Sequence, residues 1–147
     1  MRAKYQILII LFRRKEEQIE FCIFKRNDMN TWQGVAGGGE EGETIIESAK
    51  RELYEETGIK DVEVIKLDSI SIVPSYYFKD SASFGKDFYV VPEYAFAVEL
   101  SNEEIVLSDE HKEYKWCKYD EVKELLQWDS NKTALWEINE RIARDAI

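Results

Sequence analysis

Between Gly34 and Gly58 a run of glycines passes directly into an acidic helix, and no other segment narrows the possible folds as much. Five of the seven glycines fall within residues 27–42, a stretch of low apolar content that reads as a loop with backbone angles other residues disfavour. Residues 44–57 then show helical spacing. Ile46, Ala49 and Leu53 recur at i, i+3 and i+7 and predict one buried stripe, with Gly58 placed to end the helix. At about 100° per residue, Glu52 and Glu56 lie one turn apart on one side, with Glu55 close to both. Carboxylates so crowded repel one another unless a cation offsets them, and Mg²⁺ or Mn²⁺ prefers such oxygen donors. A bare E-x-x-E-E pattern is ordinarily a solvated acidic face. Here Arg51 beside it, Glu43 at the helix start and a glycine segment able to bring backbone carbonyls near argue for a divalent-metal site, with Glu43 expected to cap the helix.

The rest of the chain reads as one globular domain over residues 1–147. Its length, 44% hydrophobic residues and only two prolines are enough for a packed core without disulfides. Thirty acidic against twenty basic residues give a net charge of −10, which argues against nucleic acid or an anionic membrane as partner through a broad basic surface. Arg2 and Lys4 precede an apolar run from Ile7 to Phe12, as in a signal peptide. That run is too short to span a membrane, and Arg13 and Arg14 follow at once, so a buried strand and a cytoplasmic protein are predicted. Cys22 and Cys117 lack metal or redox spacing and read as buried structural thiols.

Strands are expected over residues 5–12 and 20–25, forming a hairpin or meander, then over 62–73, 88–100 with Pro92 as a point of interruption, and 114–117. Residues 76–86 are aromatic and polar without a period. A short helix is predicted over 120–126. A last helix begins near Ser130, capped by Asp129 or Ser130, with Ala134, Leu135, Ile138 and Ile142 as its apolar stripe.

Gly37, Glu43, Arg51, Glu52, Leu53, Glu55, Glu56, Gly58 and Ile59 together resemble the Nudix box, G-x5-E-x7-R-E-U-x-E-E-x-G-U with U a bulky apolar residue, and every defined position fits. The resemblance implies an α+β fold, an α/β/α sandwich around a mixed sheet. It further implies Mg²⁺ or Mn²⁺ held by Glu52, Glu55 and Glu56, with the carbonyl of Ala36 as an added ligand. The family often has Pro-Gly where this chain has Val35-Ala36, a change that leaves a carbonyl ligand available. The implied reaction is hydrolysis of a diphosphate linked to another moiety. Arg51 would orient a carboxylate, and the proton of the attacking water would pass to Glu52 or to a glutamate on a distant loop, for which Glu110 is the candidate. His111, the one histidine, sits among Asp109, Glu110 and Lys112 and reads as a loop or surface residue. Lys25 and Arg26 end a strand near the glycine segment and could contact phosphate, although a solvated strand end accounts for them equally.

A finer resemblance concerns the substrate. Trp32-Gln33-Gly34-Val35-Ala36-Gly37 is similar to the W-Q-x-V-x-G sequence of bacterial dihydroneopterin triphosphate pyrophosphatases. Glu110-His111, Tyr114-Lys115-Trp116 and Trp128-Asp129-Ser130-Asn131-Lys132 look like that group's E-H, Y-x-W and W-S-N-[RK] elements, while Gly38-Gly39 and residues 76–86 depart from it. A triphosphate bearing a pterin is thus the expected small-molecule partner, with Trp32 offering a face for the ring. Nucleoside triphosphates, including oxidised ones, are the alternative enzyme substrate. A nucleotide-binding module without catalysis is a further alternative, against which the intact box counts. The chain is expected as a monomer or homodimer.

Overall fold

A computed structural model describes residues Met1–Ile147. The first strand, β1 (Arg2–Lys15), is the axis of the core, because its residues from Ile7 to Phe12 are fully buried. Alternation sends Ile7, Ile9 and Leu11 to one face of the sheet and Leu8, Ile10 and Phe12 to the other. A run apolar on both faces needs cover on both. β2 (Gln18–Arg26) returns antiparallel through Glu16 and Glu17, both at positive φ, which is the expected hairpin.

Residues 27–42, expected as a loop, instead contain two strands, β3 (Trp32–Gln33) and β4 (Val35–Glu40). Glycine backbone joins a ladder as readily as any other, but Gly37–Gly39 offer no side-chain alternation to reveal it. β3 pairs with β2. β4 pairs antiparallel with the first part of β1, placing Ile7 opposite Gly37 and Leu8 opposite Ala36, while β2 takes the later residues of the same edge.

α1 (Ile45–Thr57) follows, closed by Gly58 at φ 74°, whose N–H donates to the Tyr54 carbonyl. Its cap is Thr44 rather than Glu43. The Thr44 hydroxyl accepts from the Glu47 N–H while Glu47 accepts from the Thr44 N–H, and Glu43 is free to bind Arg51. The buried face is also rotated from the expected one. Ile46 is 39% exposed, whereas Ser48, Ala49, Glu52, Leu53, Glu56 and Thr57 face inward. Polar inner positions are tolerated because they are bonded: Ser48 to Tyr5 and Glu43, Thr57 to the Leu53 carbonyl.

β5 (Ile65–Pro74) starts three residues later than the apolar pattern suggested. Two 3₁₀ turns, Ser75–Tyr77 and Ser81–Phe84, order the aperiodic aromatic stretch, and the Arg2 guanidinium lies over the Phe78 and Phe84 rings at 5.2 and 5.3 Å. β6 (Val90–Glu99) runs antiparallel to β5 and parallel to β1. Pro92 does not interrupt it, since that residue lies where β6 pairs with β5 alone. β7 (His111–Lys118) completes the mixed sheet beside β2.

α2 (Tyr119–Leu125) and α3 (Asp129–Ala143) bury Val122, Ala134, Leu135 and Ile138 on the face opposite α1. The result is the α/β/α sandwich that the resemblance implied. α3 has no side-chain cap from Asp129 or Ser130. Its first polar side chains are engaged elsewhere: Asn131 Oδ1 accepts from the Gly34 N–H at 2.8 Å, and the Ser130 hydroxyl accepts from Asn131 Nδ2. Cys22 and Cys117 are free and buried, as expected.

Candidate active site

Arg51 organises the acidic end of α1. Its Nε donates to Glu43 Oε2 at 2.7 Å, one terminal nitrogen donates to Glu52 Oε1 at 2.9 Å and Glu55 Oε2 at 3.2 Å, and the other donates to the Gly38 carbonyl at 2.8 Å. A guanidinium with five donors in one plane suits this convergence, and a lysine does not. The Arg51 hydrogen bonds hold the Glu43 carboxyl down to about 2.

Glu52 points toward the sheet. A Cβ built on Gly37 would overlap its carboxyl, so the bare glycine backbone of β4 provides the space the glutamate occupies. Burial is the main reason that Glu52 is raised to about 7. Arg51 pulls it down, and the charges of Glu55 and Glu56 push it up. Glu55 is half exposed and touches Arg51 alone.

The distant loop is drawn to the same place by backbone bonds. The Val106 N–H donates to the Thr57 carbonyl and the Ser108 N–H to the Glu56 carbonyl, pinning residues 106–108 along the end of α1. Asn27 then donates from its N–H to the Glu110 carbonyl and from its side chain to the Asp109 carbonyl. Glu110 therefore faces the helix. Although Glu110 is exposed overall, partial desolvation of its carboxyl, and next the charge of Glu56, raise it above the ordinary range, while His111 and Arg26 partly compensate.

His111 differs from its expected place at the surface. It is 6% exposed, with Nδ1 3.1 Å from Glu56 Oε2 and its ring 5.4 Å from that of Phe24. The pinned loop carries it inward, which no local pattern announces. Glu56 also accepts from the Ser108 hydroxyl at 2.6 Å. Burial would raise Glu56, but the contacts with His111 and Ser108 outweigh it and hold the carboxyl below its usual range.

The structure thus brings Glu52, Glu55, Glu56, Arg51 and Glu110 together, with Arg26 nearby but bonded through Nε and one terminal nitrogen to Asp28. Lys25 and Trp32 meet each other instead, on the far side of the sheet from α1. The Lys25 and Lys115 ammonium groups lie 5.5 and 4.8 Å from the Trp32 ring, and Trp32 packs on the core beneath α2 and α3. Ala36 faces that same side by alternation from Gly37. Ser108, Asn27 and the Gly38 carbonyl are the parts that sequence reasoning missed.

No three acidic, histidine or thiol groups converge as a ready cage for a metal. Glu52 and Glu55 are turned to Arg51, and Glu56 to Ser108 and His111. The donor chemistry nevertheless fits a hard cation. The groups are carboxylates, and mutual repulsion contributes to the upward shifts of Glu52 and Glu110.

Comparison with known proteins gives a family-model match to the NUDIX domain over residues 3–136. The chain is 30% identical to the rat (Rattus norvegicus) asymmetrical bis(5'-nucleosyl)-tetraphosphatase over 136 residues, covering 88% of each. Among solved structures, it is similar to a Listeria monocytogenes protein assigned as a NUDIX hydrolase, with 44% identity, a TM-score of 0.88 and 97% of each chain covered. It is also similar to the Escherichia coli dihydroneopterin triphosphate pyrophosphohydrolase, with 25% identity, a TM-score of 0.77, and 94% of this chain and 97% of that one covered.

Proposed function

This chain belongs to the NUDIX domain family and is a hydrolase of that family, and we propose that it cleaves dihydroneopterin triphosphate, or a related nucleoside triphosphate, to the monophosphate and pyrophosphate. One observation carries the substrate reading. The two segments that resemble the pterin enzymes, around Trp32-Gln33 and around Trp128-Asn131, are bonded to each other. Trp128 Nε1 donates to Gln33 Oε1 at 3.2 Å, and the Gly34 N–H donates to Asn131 Oδ1. The likeness to the Escherichia coli enzyme supports the same reading.

In this reading Glu52, Glu55 and Glu56, with the Ala36 carbonyl, would hold Mg²⁺ or Mn²⁺. Such a cation, when bound, offsets the charge of the polyphosphate and acidifies water. The chain's own residues do the rest. Arg51 fixes Glu52 and the Gly38 carbonyl in one frame, which keeps the base and the glycine strand in register. Glu52 or Glu110 takes one proton from the attacking water, both being shifted toward the neutral range where a general base works well. The water oxygen forms one new P–O bond, the bond bridging the α and β phosphates breaks, and its electron pair leaves on pyrophosphate.

Arg26, near the carboxylates, would bind phosphate oxygens; Lys25, held over Trp32 on the far side of the sheet, stands too far from them to do so, and Trp32 would meet the ring on that side. The rat relative favours a second reading, in which a dinucleoside tetraphosphate is cut at the same carboxylates. A panel of dihydroneopterin triphosphate, nucleoside triphosphates and dinucleoside tetraphosphates with Mg²⁺ decides between them. Pyrophosphate released fastest from the pterin is the expected result, and orthophosphate release or a strong preference for dinucleotides would contradict it.

A further inference from the structure

Glu93 lies in β6 on the sheet face turned away from α1, the face of Ala95 and Ala97. It is 8% exposed, and its Oε1 meets no hydrogen-bond partner. Burial raises its carboxyl above the ordinary range, and only the Ser130 hydroxyl acts against that. A buried carboxyl left so poorly bonded is costly to a fold, and neither core packing nor the carboxylates at α1 make use of it.

Register places Glu93 in a polar row across the sheet. Ser71 of β5, Glu93 of β6, Gln6 of β1 and Gly38 of β4 are successive neighbours. The row ends on the strand residue whose carbonyl Arg51 binds. Two strand spacings, about 10 Å, separate the backbones of Glu93 and Gly38, a span that a triphosphate carrying a bicyclic ring can bridge, and on this face the Arg2 guanidinium lies over Gly38 and donates to Gln6. The start of α3 is fixed beside this row by the Asn131–Gly34 and Trp128–Gln33 bonds. Tyr77 meets Trp128 edge-on at 6.4 Å and stacks on Tyr76 at 4.3 Å, so flat apolar faces stand beside the start of α3, whose Ser130 hydroxyl reaches Glu93.

We propose that Glu93 is the residue that selects the ring, its carboxyl accepting two N–H donors from the 2-amino-4-oxopyrimidine edge common to dihydropterin and guanine. One donor is the ring N–H and the other the 2-amino group. Hypoxanthine keeps the first and lacks the second, and adenine presents an acceptor where the ring N–H would be. This rests on the reading of the substrate as a triphosphate carrying a flat heterocycle.

The test compares kcat/KM of the full chain with Mg²⁺ on GTP and on inosine triphosphate, which differ by the 2-amino group alone. A preference for GTP of about 10- to 100-fold is expected, the range for a hydrogen bond to a charged group. Glu93→Gln should reduce it to below about threefold, with a larger loss of kcat/KM on GTP, which offers both donors, than on inosine triphosphate, which offers only the ring N–H, and Glu93→Asp, which keeps the charge but shortens the reach, should do the same. Dihydroneopterin triphosphate should lose a similar factor with either variant, and its rate relative to GTP tells which of the two rings is the better source of this edge. No preference in the wild type, or a preference kept in both variants, would overturn the role of Glu93. If triphosphates prove inert and dinucleoside tetraphosphates are cut, the triphosphate reading fails. The same comparison between diguanosine and diinosine tetraphosphates then decides on Glu93.

Discussion

The Glu52 carboxyl occupies the volume that a side chain at Gly37 would fill. A strand glycine and a helix glutamate are thus one structural unit, with the glutamate buried against β4 and Arg51 gripping both the Glu52 carboxyl and the neighbouring Gly38 carbonyl. Gly37→Ala should therefore expel Glu52 from its place. Displacing a reacting group by about 1 Å costs on the order of 10²-fold in rate, so kcat should fall at least that far while circular dichroism shows the fold retained. Turnover near wild type in Gly37→Ala would mean that the position of Glu52 does not matter.

Arg51→Lys keeps the charge but cannot serve Glu43, Glu52 and the Gly38 carbonyl at once. The expected loss is about 1–3 kcal/mol of stability, the cost of leaving partly buried carboxylates without their bonds, together with at least tenfold in kcat. Urea unfolding and steady-state kinetics measure the two. Wild-type values for both would remove Arg51 from the frame.

Stability should depend on pH through Glu52. Its value is about 7 in the fold and near 4.5 in the unfolded chain, so between these values the folded state binds the extra proton. The contribution of the neutral carboxyl is full below about pH 4.5 and is lost as pH rises through about 7. The difference is on the order of 3 kcal/mol. Burial shifts Glu93 in the same direction. In EDTA, the wild type should lose more stability between pH 5 and pH 8 than Glu52→Gln does. Equal losses in the two proteins would contradict the buried placement of Glu52.

Much of this was legible in the sequence, and the failures have physical causes. The acidic helix, its glycine stop and the hairpin of β1 and β2 announce themselves through period and turn chemistry. β3 and β4 did not, because glycines join a ladder without showing which face they present. Ile46 was expected inside and lies outside, since the helix buries Glu52 and Glu56 on the side that hydrophobicity alone would assign elsewhere. Glu110 was found because the order of loop and strand suggested it. His111 and Ser108 reach Glu56 only through backbone bonds between residues 106–108 and the end of α1, which are invisible in side-chain patterns. The two segments that resemble the pterin enzymes meet through the Gly34–Asn131 bond, a contact between positions 97 residues apart.

In the proposed mechanism Glu52 and Glu110 compete for the same proton. Loss of a general base typically costs about 10²–10⁴-fold, and both variants, Glu52→Gln and Glu110→Gln, are expected to show it. Their pH–rate profiles should differ, because each removes one of two upward-shifted carboxyls. An unchanged rate and profile for Glu110→Gln would exclude the loop residue from the chemistry.

The most direct measurement is pyrophosphate release from dihydroneopterin triphosphate with Mg²⁺, followed for the wild type, for the wild type in EDTA, and for Glu56→Gln. Glu56 is half of the link between helix and loop, bonded to Ser108 and adjacent to His111. Steady release by the wild type is expected, with a loss of several orders of magnitude in both EDTA and the variant. Release that persists in EDTA, or near-wild-type turnover by Glu56→Gln at saturating Mg²⁺, would contradict metal-assisted hydrolysis at these carboxylates.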